Sequence, residues 1–104
     1  MKQQEKAIVV NSASAATVQI TPDGFVPETV IIRAGQSVEW MNTDTKLHQV
    51  APDPHPLHSS FTPLAGTDPL QSRENMSFRY PKKGTYPYHD EAEKKKKKGI
   101  VVVK

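Results

Sequence analysis

The chain has 104 residues, no cysteine and a formal charge of +3. A chain of this length is expected to form one domain, residues 1–104, that buries roughly two-thirds of its unfolded surface and needs neither disulfide nor metal merely to fold. The missing cysteine excludes disulfides, thiolate metal ligands and a cysteine nucleophile. Five of the 14 basic residues form one block, residues 94–98, and without it the charge would be 3 − 5 = −2. The basic pI therefore reports a local feature and not a nucleic-acid-binding face. Residues 7–10, following the polar residues 1–6, are too few for a signal-peptide core, and no run approaches the roughly 20 apolar residues of a membrane span. A soluble monomer with no nucleic-acid or membrane partner is expected, its first six residues open to disorder.

In chain order, every element is short and turn residues separate them. Residues 7–10 are a small strand candidate, and Thr17-Val18-Gln19-Ile20 alternates as a half-buried strand does. Thr21-Pro22-Asp23-Gly24 predicts a turn, after which Phe25-Val26-Pro27 runs extended at a sheet margin. Residues 28–33 are rich in β-branched side chains. Ala34-Gly35 turns, and residues 37–41 place Val38 and Trp40 on one face. The spacing predicts that these two segments pair as a hairpin. A polar loop over 42–46 leads to a brief extended piece, His48-Gln49-Val50. Residues 51–72 hold five of the nine prolines, so they can neither pair continuously in a sheet nor run as one helix, and a long irregular excursion is expected.

Regular pattern returns with Met76, Phe78 and Tyr80 on one face, then a turn at Pro81-Lys82-Lys83-Gly84 and a strand to His89. Residues 90–98 have helical composition: Asp90 is a good N-cap, Glu93 sits three residues later, acids precede lysines at i, i+4, and Gly99 is a good stop. A short exposed helix is expected there. Its acid-first, lysine-last make-up follows helix-design rules and contrasts with the irregular texture of residues 11–80, which reads as a loop rebuilt on purpose. Residues 100–103 form a buried strand. Eight short strands and one long loop indicate an antiparallel β-sandwich. Val18, Ile20, Val30, Ile32, Val38, Trp40, Phe78, Tyr86, Ile100 and Val102 are its expected core, and such a core should hold without a bound ion.

Phe25-Val26-Pro27, Ala34-Gly35-Gln36-Ser37-Val38-Glu39-Trp40, Asn42, His48, and Gly84-Thr85-Tyr86-Pro87-Tyr88-His89 followed by Gly99-Ile100-Val101-Val102-Val103 resemble the cupredoxins, most nearly the plastocyanin-like and amicyanin-like members. The resemblance spans residues 17–103. It implies an all-β, eight-stranded Greek-key sandwich, a copper cofactor, a redox partner protein and a periplasmic or secreted location. It also implies a copper site between the loop carrying the first histidine and the loop joining the last two strands, where the family supplies a cysteine, a second histidine and a methionine.

Position by position, His48 stands where the first histidine belongs, Asp90 where the cysteine belongs and Glu93 where the second histidine belongs. The three methionines, Met1, Met41 and Met76, lie elsewhere. A type 1 copper site needs a thiolate, two imidazoles and a weak axial thioether, so blue-copper electron transfer is not expected. One imidazole and two carboxylates suit a harder divalent ion such as zinc, manganese or iron(II), held weakly by His48, Asp90 and Glu93. The plainer readings are a partly buried His48 satisfied by backbone, and Asp90 and Glu93 serving as helix caps. His55 and His58 lie three apart in the proline-rich loop, where no helix can align them, and His89 is expected to pack or face solvent. Two functional classes follow: a cupredoxin with an incomplete metal site, or a metal-free scaffold. An enzyme is not expected, because histidine-carboxylate iron chemistry usually wants two histidines and open positions.

Overall fold

The computed structural model describes residues 14–55, 57–93, 95 and 97–104. The strand candidate at residues 7–10 lies outside the described residues. Eight strands form two four-stranded sheets. In the first, the order is β2 (Gly24–Val26), β1 (Ala16–Thr21), β4 (Ser37–Asn42), β6 (Asn75–Arg79); in the second it is β3 (Thr29–Ile32), β8 (Lys98–Val103), β7 (Gly84–Asp90), β5 (Val50–Pro52). The sandwich is not wholly antiparallel: β1 runs parallel to β4 and β3 parallel to β8. Between β5 and β6 lies the expected irregular excursion, which contains a 3₁₀ turn at Thr62–Leu64.

The expected hairpin of residues 28–33 with 37–41 does not form, because β3 and β4 belong to different sheets. Gly35, at φ +94°, turns the chain and donates its N–H to the Tyr80 carbonyl, and the strand crosses the sandwich. The apolar sides of Val30 and Ile32 then face those of Val38 and Trp40 across the core, which buries both sets. In a hairpin all four would share one sheet face.

The core contains Val18, Ile20, Val30, Ile32, Val38 and Trp40 as expected, with Phe78 and Tyr86 only partly buried against it. In β8 the inward residues are Val101 and Val103, one step from the expected Ile100 and Val102. Parallel pairing sets this register, placing Val101 beside Val30 and Val103 beside Ile32. A one-residue slip exchanges the faces of a strand, and an unbroken β-branched run carries no alternation to choose between them.

Tyr88 of β7 fills the centre, its ring edge-on to Phe25 at 4.8 Å and to Trp40 at 5.4 Å. Its neighbour across the ladder is Gly99, where a Cβ would run into the Tyr88 ring. Gly99 is therefore a strand residue that makes room for an aromatic ring and not a helix stop. The expected helix over 90–98 is likewise absent among the described residues. β7 continues to Asp90, whose N–H bonds the Lys97 carbonyl, and β8 begins at Lys98, so only residues 91–97 join the strands. A segment that short scarcely repays helix nucleation, and its lysines repel one another at helical spacing.

Candidate metal centre

Strand alternation decides which β7 side chains enter the sandwich. Tyr88 and Asp90 point inward, and Asp90 is 1% exposed at the end of the strand. His48 arrives from the opposite side, on the segment between β4 and β5. That segment is tied down by buried Asn42, whose Nδ2 donates to the carbonyls of Lys46 and Leu70 and whose Oδ1 accepts the Asp44 N–H. A two-way backbone bridge between His48 and Leu70 holds it against the long excursion. The polar loop is thus shaped around its own buried amide, and His48 ends up 3% exposed beside Asp90.

Both nitrogens of His48 meet carboxylates. Nδ1 lies 2.5 Å from Asp90 Oδ2, and Nε2 lies 2.8 Å from Asp44 Oδ2. Burial alone pushes the His48 pKa down, but the hydrogen bonds and charges of Asp44 and Asp90 outweigh it, and the net shift is upward from 6.5. The hydrogen bond from His48, aided by the backbone N–H of Thr45, holds the Asp44 carboxyl below its ordinary 3.8 against the opposing effect of burial. The contacts suit an imidazolium, which has one N–H to donate to each carboxylate. Asp90 uses its other oxygen to accept the N–H groups of Gln49 at 3.1 Å and Ala92 at 3.0 Å. The Ala92 contact is the first bond of a helix cap, made here without a helix.

The residues singled out in the sequence therefore meet. His48, Asp90 and the half-buried Glu93 bring donor atoms within 4.8 Å of one another. Asp44 was not among them, although its place four residues before a candidate ligand was a usable signal. The group does not fit type 1 copper. The chain has no cysteine to supply a thiolate, and both nitrogens of the His48 ring are engaged.

A family model described as a cupredoxin-like domain matches residues 1–103. The fold is similar to that of a purple cupredoxin from Nitrosopumilus maritimus, with a TM-score of 0.72 and 20% identity over 86% of this chain and 99% of that one. It is similar to amicyanin from Paracoccus versutus, with a TM-score of 0.70 and 21% identity over 88% of this chain and 83% of that one. A third likeness is to plastocyanin from Dryopteris crassirhizoma, with a TM-score of 0.69 and 20% identity over 85% of this chain and 99% of that one. At such identities the likeness concerns the fold alone. No curated protein matches the chain by sequence.

Proposed function

The chain belongs to the cupredoxin-like domain family, and from that premise we propose that it is a single domain, 1–104, in which a buried Asp44–His48–Asp90 ion triad takes the place of a type 1 copper site. The observation that carries this reading is the His48 ring, bracketed by carboxylates at 2.5 and 2.8 Å. A metal binds imidazole through a bare nitrogen lone pair, so an ion at His48 must first displace a proton. It must also part His48 Nδ1 from Asp90 Oδ2, since two ligands of one zinc ion lie roughly 3.3 Å apart. Binding through His48, Asp90 and Glu93 is accordingly weak and favours zinc or another divalent ion over copper in its blue form. Blue-copper electron transfer is not expected of this group, which offers no thiolate. No reaction is assigned to the group, which lacks the second imidazole that histidine-carboxylate iron chemistry calls for.

Two measurements test this. Nitrogen NMR of His48 below its ordinary pKa of 6.5 should show two ring N–H protons, and a bare ring nitrogen there would refute the triad. Titration with Cu(II) should give only weak colour, because the intense blue band is a thiolate-to-copper transition; an intense band would refute the absence of a type 1 site. A second reading, a metal-free scaffold with a rebuilt 90–98 loop, is favoured by the same full engagement of His48. It is preferred if excess zinc leaves the His48 ring N–H signals unchanged.

A further inference from the structure

We propose that the outer face of β7 carries a divalent transition-metal site, formed by His55, His58, His89 and Glu91, whose best ligand is zinc. The strand that turns Asp90 inward turns His89 outward, yet His89 is only 3% exposed. Both ends of the neighbouring loop are tied to the strand: Asp53 N–H and Ser60 Oγ both bond the Pro87 carbonyl, and Ser60 N–H bonds the Asp53 carbonyl. A further bond from His58 N–H to the Pro54 carbonyl tightens the loop into a turn. His55 and His58 are brought against His89 in this way, with ring centroids 5.4 to 5.9 Å apart. No helix is needed to align them.

The three rings converge on one carboxylate. Glu91 oxygens lie 2.6 Å from His89 Nε2, 3.1 Å from His55 Nδ1 and 3.3 Å from His58 Nε2. The four donor atoms all fall within 4.8 Å of one another. Bonds of about 2.0–2.1 Å in a tetrahedron put neighbouring ligands roughly 3.3 Å apart, so two of the three separations already suit zinc and the third has to open by about 0.7 Å. Three imidazoles and one carboxylate form a donor set for zinc or copper(II) and not for magnesium or calcium, which take oxygen.

Three further observations favour an ion over a simple hydrogen-bonded cluster. The Nε2 atom of His58 is buried and makes no hydrogen bond. Asp53 Oδ1 lies 2.5 Å from His89 Nδ1, on the far side of the ring, so a carboxylate orients the imidazole and leaves Nε2 directed at the centre. A cavity of about 290 Å³, lined by Asp53, Pro54, His55, His89 and Lys98, opens beside the cluster and gives an ion a way in. Asp53 and Glu91 together balance the charge of a divalent ion held by neutral rings. The site shares no ligand with His48, Asp90 and Glu93, and it would staple the long loop to the sheet.

The test uses the full chain and zinc alone, titrated in competition with a chelating dye, with melting temperature as a second readout. One zinc should bind per chain and raise the melting temperature. His55→Ala or His58→Ala should weaken binding by about a hundredfold and Asp53→Asn by about tenfold. His55 is 54% exposed, so its replacement tests ligation with little risk to the fold. Cobalt(II) in place of zinc should give the strong visible bands of a tetrahedral centre. Failure of the wild type to bind zinc, or binding undiminished by the double change His55→Ala/His58→Ala, would each overturn the proposal.

Discussion

His48 and His89 are equally buried, each 3% exposed, and each ring lies between two carboxylates. They differ in what surrounds those carboxylates. Around His48, Asp44 and Asp90 are themselves buried, and their other oxygens are held by backbone N–H groups, so the triad is complete without an ion. Around His89, Asp53 and Glu91 remain 24% and 23% exposed, and two more imidazoles converge on the Glu91 oxygens. A closed charge cluster stabilises the fold, whereas an open, imidazole-rich one can admit a cation. Adjacent residues of one strand supply both because side chains alternate across a sheet.

The largest expected effect contrasts alanine at the two histidines. His48→Ala leaves two buried carboxylates without their cation and should cost about 3–5 kcal/mol. His89→Ala leaves carboxylates that reach water and should cost about 1 kcal/mol in the absence of metal. Denaturant unfolding of both variants measures the difference, and equal losses would erase the distinction between closed and open clusters.

Asp90→Asn sharpens the contrast further. Asparagine still accepts the Gln49 and Ala92 N–H groups but supplies no charge to His48, so a loss of about 1–3 kcal/mol is expected while His48 is protonated. The loss should fade as pH rises through the elevated pKa of His48, a trend that melting curves across that range would reveal. A loss independent of pH would mean that Asp90 acts only through backbone capping.

The wild type should show its own pH window. A histidine with a raised pKa contributes stability that is complete below its ordinary 6.5 and disappears as pH climbs through the raised value. Asp44, with a lowered pKa, contributes stability that is complete above 3.8 and disappears as pH falls through the depressed value. The triad is therefore fully effective from about pH 4 to about pH 6.5. His48→Ala should flatten this part of the stability profile, and His89→Ala should preserve it.

The smallest effect concerns Tyr88, next to both clusters in β7. Burial pushes its hydroxyl up to about 12, partly offset by the Trp40 indole. Ultraviolet titration should show it ionising well after an exposed phenol, in wild type and His89→Ala alike. Early ionisation in His89→Ala would show that the outer loop, and not the core, shields the inner face of β7.

The strands of the first sheet and the inward positions of Val18, Ile20, Val38 and Trp40 follow from alternation, which is a local property. The approach of His48 to Asp90 was legible only through likeness to a family in which those positions share a site. The histidine cluster was not legible in that way. His55 and His58 look unrelated along a proline-spaced loop, and nothing local says that the loop folds back on Pro87 to meet His89.

Composition, periodicity and turn residues thus determined the all-β class, most of the core and the exclusion of a thiolate site, because each depends on residue identity or on neighbours a few positions away. Tertiary structure alone decided that β3 crosses the sandwich, that β8 presents Val101 and Val103, and that β7 runs on through Asp90. It also decided that Asp44 closes on His48 and that three imidazoles gather at Glu91. These outcomes arise from contacts between residues far apart in the chain, where the burial of a whole face outweighs the preference of any single segment.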